Sequence, residues 1–218
     1  VILLSLASAL PVGSIAVFNL ANNLQSFPVS IFGISFAVAA FPNLSRASAN
    51  KDAGGFRDVL GSTSRKIAFL LIPSTVIFIL LRAQIVRITL GAGEFDWDAT
   101  IRTANVLGIF AVSMLFQALV ALMARAFYAI QDTWTPLVAG LVSEAFNLVL
   151  AILLRPHLGV IGLAISFSVA ALLNLLLLWW LLYYKRGSLG EGEFTISLLK
   201  TCAASMALLG FGWLGRQG

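Results

Sequence analysis

Residues 136–186 read "PLVAGLVSEAFNLVLAILLRPHLGVIGLAISFSVAALLNLLLLWWLLYYKR". Two apolar runs flank the short "RPHLG" turn at 155–159. At roughly 1.5 Å per helical residue, each run is long enough to cross a hydrocarbon core of about 30 Å. Trp179, Trp180, Tyr183 and Tyr184 then form an aromatic belt, and Lys185 and Arg186 close it as a basic stop signal. The stretch predicts two membrane-spanning helices joined by a tight turn.

The rest of the chain repeats the pattern. Of its 218 residues 60% are hydrophobic and only 11% charged, too few charges to cover the surface of a soluble domain. Stretches of alternating polarity about ten residues long, the mark of a membrane β-barrel, are absent. The fold class is therefore an all-α polytopic membrane protein with about seven transmembrane helices, at roughly 2–22, 27–45, 64–82, 101–124, 134–154, 159–183 and 196–214. Pro73 should kink the third, and "RAQIVRITL" after it is amphipathic, either extending that helix or lying along the interface.

Lys and Arg fall unevenly on the two sides of these segments. One side receives nine, including those of the 46–66 loop, and the other five. The positive-inside rule puts the 46–66 loop in the cytoplasm and the acidic "GAGEFDWDAT" loop outside. The chain opens with Val inside an apolar run and closes at "WLGRQG" just past another, which reads as a piece of a larger membrane protein.

Enzyme signatures are scarce. A single histidine, His157, builds neither a catalytic triad nor a histidine metal site. The single cysteine, Cys202, has no internal disulfide partner and reads as a small packing residue. The glycine-containing loops lack the Lys-Ser/Thr ending of a phosphate loop. The expectation is no enzyme activity, no cofactor, no metal and no nucleic acid.

Polar residues inside the spans carry more information. Glu144 lies near the middle of the fifth segment, where a charge costs roughly 2.5–3.5 kcal/mol on insertion scales, so it should face the bundle interior or water. Asn147 and Gly140 share its helical face. The three line a pathway, Glu144 binding a cation or a proton or hydrogen-bonding a substrate, or else they clamp two helices together with Glu144 protonated. Gln117 and Asn174 read as lone amides gluing helices. Arg82 and Arg87 read as snorkelling anchors at the outer interface, or as headgroup contacts. In "FNLANNLQSFP" (18–28), Asn22, Asn23 and Gln25 form either a turn at the outward junction of the first two spans or polar lining at membrane depth.

Three stretches resemble one family. These are "FPVSIFGISFAVAAFPNLSRAS" (27–48), "LGAGEFDWDAT" (90–100) and "ARAFYAIQDTWTP" (124–136), in the family's order and with plausible spacing. Together they are similar to the MurJ/MviN family of bacterial lipid II flippases, in the multidrug/oligosaccharidyl-lipid/polysaccharide exporter superfamily. The resemblance implies two six-helix lobes around a central cavity plus two further helices. This chain would supply the second lobe (1–185), a cytoplasmic linker (186–195) and one additional, truncated helix (196–218). It implies flipping of undecaprenyl-linked peptidoglycan precursor across the bacterial plasma membrane by alternating access, with the N-terminal lobe of the same protein and cell-wall synthesis proteins as partners. Two other readings stay open: a related transporter of another lipid-linked oligosaccharide or a drug, and a non-transporting scaffold of cell-wall synthesis. Arg125, Tyr128, Asp132, Thr135 and Pro136 belong to the family's signature, with a gating or substrate role or a purely structural one as a helix–turn–helix. Family members commonly carry an arginine, often preceded by an acid, where this chain has Asn22 and Asn23.

Overall fold

The computed structural model describes residues 14–90 and 97–186, and all regular structure among them is helical. Helix α1 (Ser14–Pro28) runs through a π-helical turn (Val29–Ile34) into α2 (Ser35–Ala49). It is followed by α3 (Ala53–Leu80), α4 (Arg82–Leu90), α5 (Trp97–Ala129) and α6 (Trp134–Arg186). Four helical stretches are long and apolar enough to cross a membrane: the 36 residues Ser14–Ala49, α3, Ala99–Ala129 within α5, and α6. The expectations for residues 1–13, for 91–96 of the acidic loop, for the linker beyond Arg186, and for the segment 196–214 with Cys202 lie outside the described residues.

The reading of 18–28 as a turn between two spans is corrected, because the helix passes straight through it. Asn22 and Gln25 are three residues apart on one face, and the Gln25 Nε2 donates to Asn22 Oδ1 at 3.0 Å. The Ser26 hydroxyl donates back to the Asn23 carbonyl at 2.7 Å. Polar side chains that would favour a turn in water are thus satisfied locally within a helix. Pro28 keeps helical dihedrals (φ −61°, ψ −37°), and the π turn follows it directly. The expected spans 2–22 and 27–45 are, over the described residues, one helix of 36 residues, roughly 54 Å long.

Helix α5 is the hub, packing against every other described element. Towards the Ala129 end, Leu119, Leu122, Met123 and Phe127 meet Leu44, Phe56, Leu60 and Ile67 of α2 and α3. Towards the other end, Leu107 and Phe110 meet Val17, Phe18 and Leu163, and Phe110 packs edge-on against both Phe18 (5.2 Å) and Phe167 (5.4 Å). Between these clusters a Cβ on Gly33 would sit 2.4 Å from the Ala118 Cβ, so the π turn touches α5 at a glycine. Small residues at such crossings let two backbones approach in a membrane, where packing rather than water drives association.

The 53-residue α6 is a hairpin of two antiparallel arms. Its helical dihedrals fail at Gly159 (φ 56°, ψ −132°), a conformation that glycine adopts without strain. The expected turn at 155–159 is therefore present. Beyond it the second arm folds back closely enough that a Cβ on Gly162 would lie 2.9 Å from the Leu154 carbonyl. Pro73 lies inside α3, which continues to Leu80. After Leu81 the chain restarts as α4, a separate nine-residue helix rather than an extension.

Candidate functional site

The spacing of Gly140, Ser143, Glu144 and Asn147 puts all four on one face of the first α6 arm. The hairpin lays Phe167, Ala170, Ala171 and Asn174 of the second arm opposite, and α5 adds Gln117 and Val120. These residues line a half-open cavity of about 210 Å³, in which Ser143 and Asn147 are buried and Glu144 is exposed. Glu144 is the eleventh residue of α6, roughly 15 Å along a helix that crosses a core of about 30 Å. By helix length, Glu144 therefore lies about half a membrane thickness from the start of the arm. On the outer side of the same arm Val138, Val142, Phe146 and Val149 are exposed, a surface suited to lipid or to further helices.

Hydrogen bonding inside the cavity is incomplete. The Asn147 Nδ2 donates to both Glu144 oxygens, each at 3.4 Å. Asn147 is buried at 1% exposure, yet its Oδ1 has no partner, and neither has the buried Oδ1 of Asn174. Ser143 is satisfied, its hydroxyl donating to the Ala139 carbonyl at 2.8 Å.

Gln117 is not the lone amide expected from its sequence context. Its Nε2 donates to Gln25 Oε1 at 2.8 Å and to Ser113 Oγ at 2.9 Å. With the Gln25–Asn22 bond this makes a ladder, Asn22–Gln25–Gln117–Ser113, that joins α1 to α5 and ends on the cavity wall. Gln25 is buried, Asn22 half-buried and Asn23 exposed. Asn22 and Gln25 thus enter the same polar system as Glu144 and Asn147, and Asn23 points elsewhere.

A larger cleft of about 850 Å³ adjoins the cavity and shares Val120, Gly140 and Asn174 with it. Tyr128, Thr133, Trp134 and Pro136 line its far end. A Cβ on Gly140 would meet no atom within 4 Å, so the two spaces join over that glycine. Tyr128 and Pro136 of the family-like signature are therefore groove-lining.

Asp132 and Thr135 do something different. The Asp132 Oδ1 accepts from the Thr135 backbone N–H at 3.0 Å and its Oδ2 from the Thr135 hydroxyl at 2.6 Å, so Asp132 caps α6. Lys185, at the other end of the hairpin, pairs with Asp132 and donates to Thr135 Oγ1 at 2.9 Å. Burial alone would raise the Asp132 pKa, but the Lys185 and Thr135 hydrogen bonds outweigh it and hold the carboxyl at about 2. Next to it, Arg186 donates to Ser48 Oγ at 2.9 Å and lies 5.2 Å over the Phe56 ring, while Arg57 donates to the Arg186 carbonyl at 3.4 Å. Sequence reasoning took Lys185 and Arg186 for a stop signal and missed this double tie. The available clue was that Asp132 and Lys185 lie at near-equal distances either side of the hairpin turn. Half-buried Arg125 makes no hydrogen bond or ion pair among the described residues.

At the opposite end of the bundle, Arg82 lies across α5, its Nη1 3.1 Å from where a Cβ on Gly108 would sit. It lines a cleft of about 350 Å³ with Gln84 and Asn105. Arg87 is exposed on α4 and does not line that cleft. Among the described residues no three His, Cys, Asp or Glu side chains come together as a metal site.

The family model "Lipid II flippase MurJ" matches residues 1–217. A probable lipid II flippase MurJ of Thermotoga maritima is 28% identical over 205 residues, 94% of this chain and 42% of the relative. Those of Vibrio cholerae (30% identical, 79% of this chain, 33% of the relative) and Bdellovibrio bacteriovorus (32%, 81% and 34%) are similar. The chain thus spans between a third and somewhat over two-fifths of the length of these relatives. A solved structure described as lipid II flippase MurJ in an inward closed conformation aligns with a TM-score of 0.85 at 25% identity, over 99% of this chain and 44% of that one. Motif order, helical architecture and these matches agree: the chain belongs to the lipid II flippase MurJ family.

Proposed function

We propose that this chain is the second lobe of a transporter that flips an undecaprenyl-linked peptidoglycan precursor across the bacterial plasma membrane by alternating access. The observation that carries the reading is the polar system among the apolar helices, Asn22–Gln25–Gln117 with Glu144, Asn147 and Asn174, in a chain of the lipid II flippase MurJ family. A polar headgroup crossing a bilayer needs such groups inside the helices, where lipid offers none. In this reading residues 1–185 form the lobe, 186–195 a cytoplasmic linker and 196–218 a further helix. The 46–66 loop faces the cytoplasm, and the N-terminal lobe supplies the other wall of the cavity. Arg82 and Arg87 then lie at the outer interface, and Arg125 with Tyr128 and Pro136 at the cytoplasmic mouth of the groove.

Asn22 and Asn23 favour a second reading, a related transporter of a less anionic lipid-linked oligosaccharide. Asparagine amides hydrogen-bond a sugar or phosphate but add no positive charge. The test is whether the full-length gene rescues bacteria depleted of their own lipid II flippase. Rescue at ordinary expression supports the first reading; well-expressed, membrane-inserted protein that fails to rescue overturns it.

A further inference from the structure

Arg82 is a charge set further into the bundle than the cations around it. On α5 the run between Arg102 and Arg125 carries no charge and rises roughly 35 Å, enough to cross a hydrocarbon core of about 30 Å. The Arg82 side chain lies against this run, its Cδ 3.4 Å and its Nη1 3.1 Å from where a Cβ on Gly108 would sit. Gly108 is six residues beyond Arg102, so the guanidinium sits roughly 9 Å inside the charged edge of α5. Helix α3 agrees. Arg82 follows Lys66 by sixteen residues, a rise of roughly 24 Å, which is short of the full core.

A guanidinium at that level is costly unless it reaches water or meets an anion. Snorkelling outward is the usual escape, but this side chain is held beside Gly108 rather than level with Arg102. The cleft it lines, about 350 Å³, carries one cation, the two amides of Gln84 and Asn105, and otherwise aliphatic side chains of α3, α4 and α5. No carboxylate lines it, and Arg82 makes no hydrogen bond or ion pair among the described residues. Arg82 and Gln84 are exposed and Asn105 is half-buried, so the cleft is open and its polar groups can be reached. Leu81 beside Arg82 and Ile101 on the cleft wall are exposed as well.

We propose that this cleft binds the phosphate of a membrane amphiphile, Arg82 taking two phosphate oxygens and the Gln84 and Asn105 amides donating to the others. A guanidinium fork offers parallel N–H donors that match a phosphate, and each primary amide adds two more. The level of the site selects the source. Free inorganic phosphate would have to leave water for the edge of the hydrocarbon, whereas a lipid brings apolar chains that Leu81, Ile101 and the aliphatic walls can hold. A bilayer phospholipid and a polyprenyl pyrophosphate share that chemistry. The cleft is at the end of the bundle opposite the Asp132–Lys185 tie, which is the outer leaflet in the orientation proposed above. Binding itself depends neither on that orientation nor on the transport reading. Arg87, exposed on the same short helix but outside the cleft, takes no part.

The test uses the full-length protein in phosphatidylcholine liposomes with Ile101→benzoylphenylalanine as a photo-crosslinker, which leaves Arg82, Gln84 and Asn105 intact. Illumination should attach a phosphate-bearing lipid, identified by mass spectrometry. Arg82→Gln should lower the yield several-fold, Arg82→Lys should keep part of it because the charge stays and the fork is lost, and Arg87→Gln should leave it unchanged. Adding phosphatidylglycerol, a polyprenyl pyrophosphate or uncharged diacylglycerol in separate arms distinguishes the sources. A phospholipid adduct identifies a bilayer-lipid site, and a polyprenyl pyrophosphate that displaces it identifies a subsite for the precursor; either supports the proposal. Equal yields from parent and Arg82→Gln overturn it, and so does diacylglycerol captured as readily as the phosphate lipids, or attachment to the protein's own other lobe. If Arg82→Gln fails to fold, Asn105→Leu replaces it and should also lower the yield. An Arg82-dependent phospholipid adduct in a protein that does not rescue flippase-depleted bacteria leaves this site standing and removes the transport reading; rescue without such an adduct does the reverse.

Discussion

Lys185 and Asp132 are 53 residues apart in the chain and form an ion pair that closes the open end of the α6 hairpin. Asp132 is also the cap of the first arm. One carboxylate therefore starts the helix and ties down its far end.

Removing the two partners should have unequal effects. Lys185→Met loses a partly exposed ion pair, worth at most about 1 kcal/mol, whereas Asp132→Ala loses the pair and a cap worth about 1 kcal/mol more. Thermal unfolding of the two variants in detergent, with the double variant, measures the difference. A Lys185→Met variant less stable than Asp132→Ala would contradict the arrangement.

The same pair sets an acid limit. Asp132 is held from 3.8 down to about 2, so its folded form binds its proton less readily than the unfolded chain does. Its contribution is complete above the unfolded value and disappears as pH falls through about 2. Unfolding midpoints of the parent should approach those of Asp132→Asn as pH is lowered from about 4 towards 2. A difference that stays constant over that range rules the pairing out.

Two helix glycines should respond in opposite ways to alanine. At Gly33 the new methyl would overlap Ala118 at 2.4 Å, and overpacking of this kind costs typically 1–3 kcal/mol. At Gly140 nothing lies within 4 Å, so Gly140→Ala should be neutral or stabilising by up to about 1 kcal/mol from helix propensity. Parallel melting curves decide it.

Gln117→Leu should destabilise by about 1–2 kcal/mol, because it leaves the Gln25 amide without its partner on α5. Gln25→Leu combined with Gln117→Leu should cost less than the two singles added, since neither glutamine then faces an apolar partner, while half-buried Asn22 alone loses its donor. A double variant as unstable as the sum of the two singles would show that the ladder does not couple them.

Asn23→Arg tests the headgroup reading directly. Asn23 is exposed, so the longer side chain has room, and transport should persist or rise if this position meets a phosphate. Loss of flipping in a well-folded variant would argue for a different headgroup contact.

Much of this architecture is legible in the sequence, and particular residues show where legibility stops. The α6 hairpin follows from local chemistry, since two apolar runs and a Pro-His-Leu-Gly turn leave one solution. Glu144 and Asn147 share a face by helical period, so their cavity could be anticipated from one strip of chain. The polar cluster at 18–28 could not be read in the same way. Amides before a proline look like a turn when only neighbours are counted, and here the deciding partner, Gln117, is 92 residues from Gln25. Asn174 failed for the same reason, because its cavity exists only once the hairpin has closed.

The π turn at Val29–Ile34 gives Ser14–Ala49 a split reading frame. It behaves as one inserted residue absorbed without a break, which rotates everything before it by roughly 100° relative to a plain α-helix. Asn22 and Gln25 point at α5 because of that offset. Deleting a single residue between 29 and 34 would leave a good helix whose first half faces the wrong way.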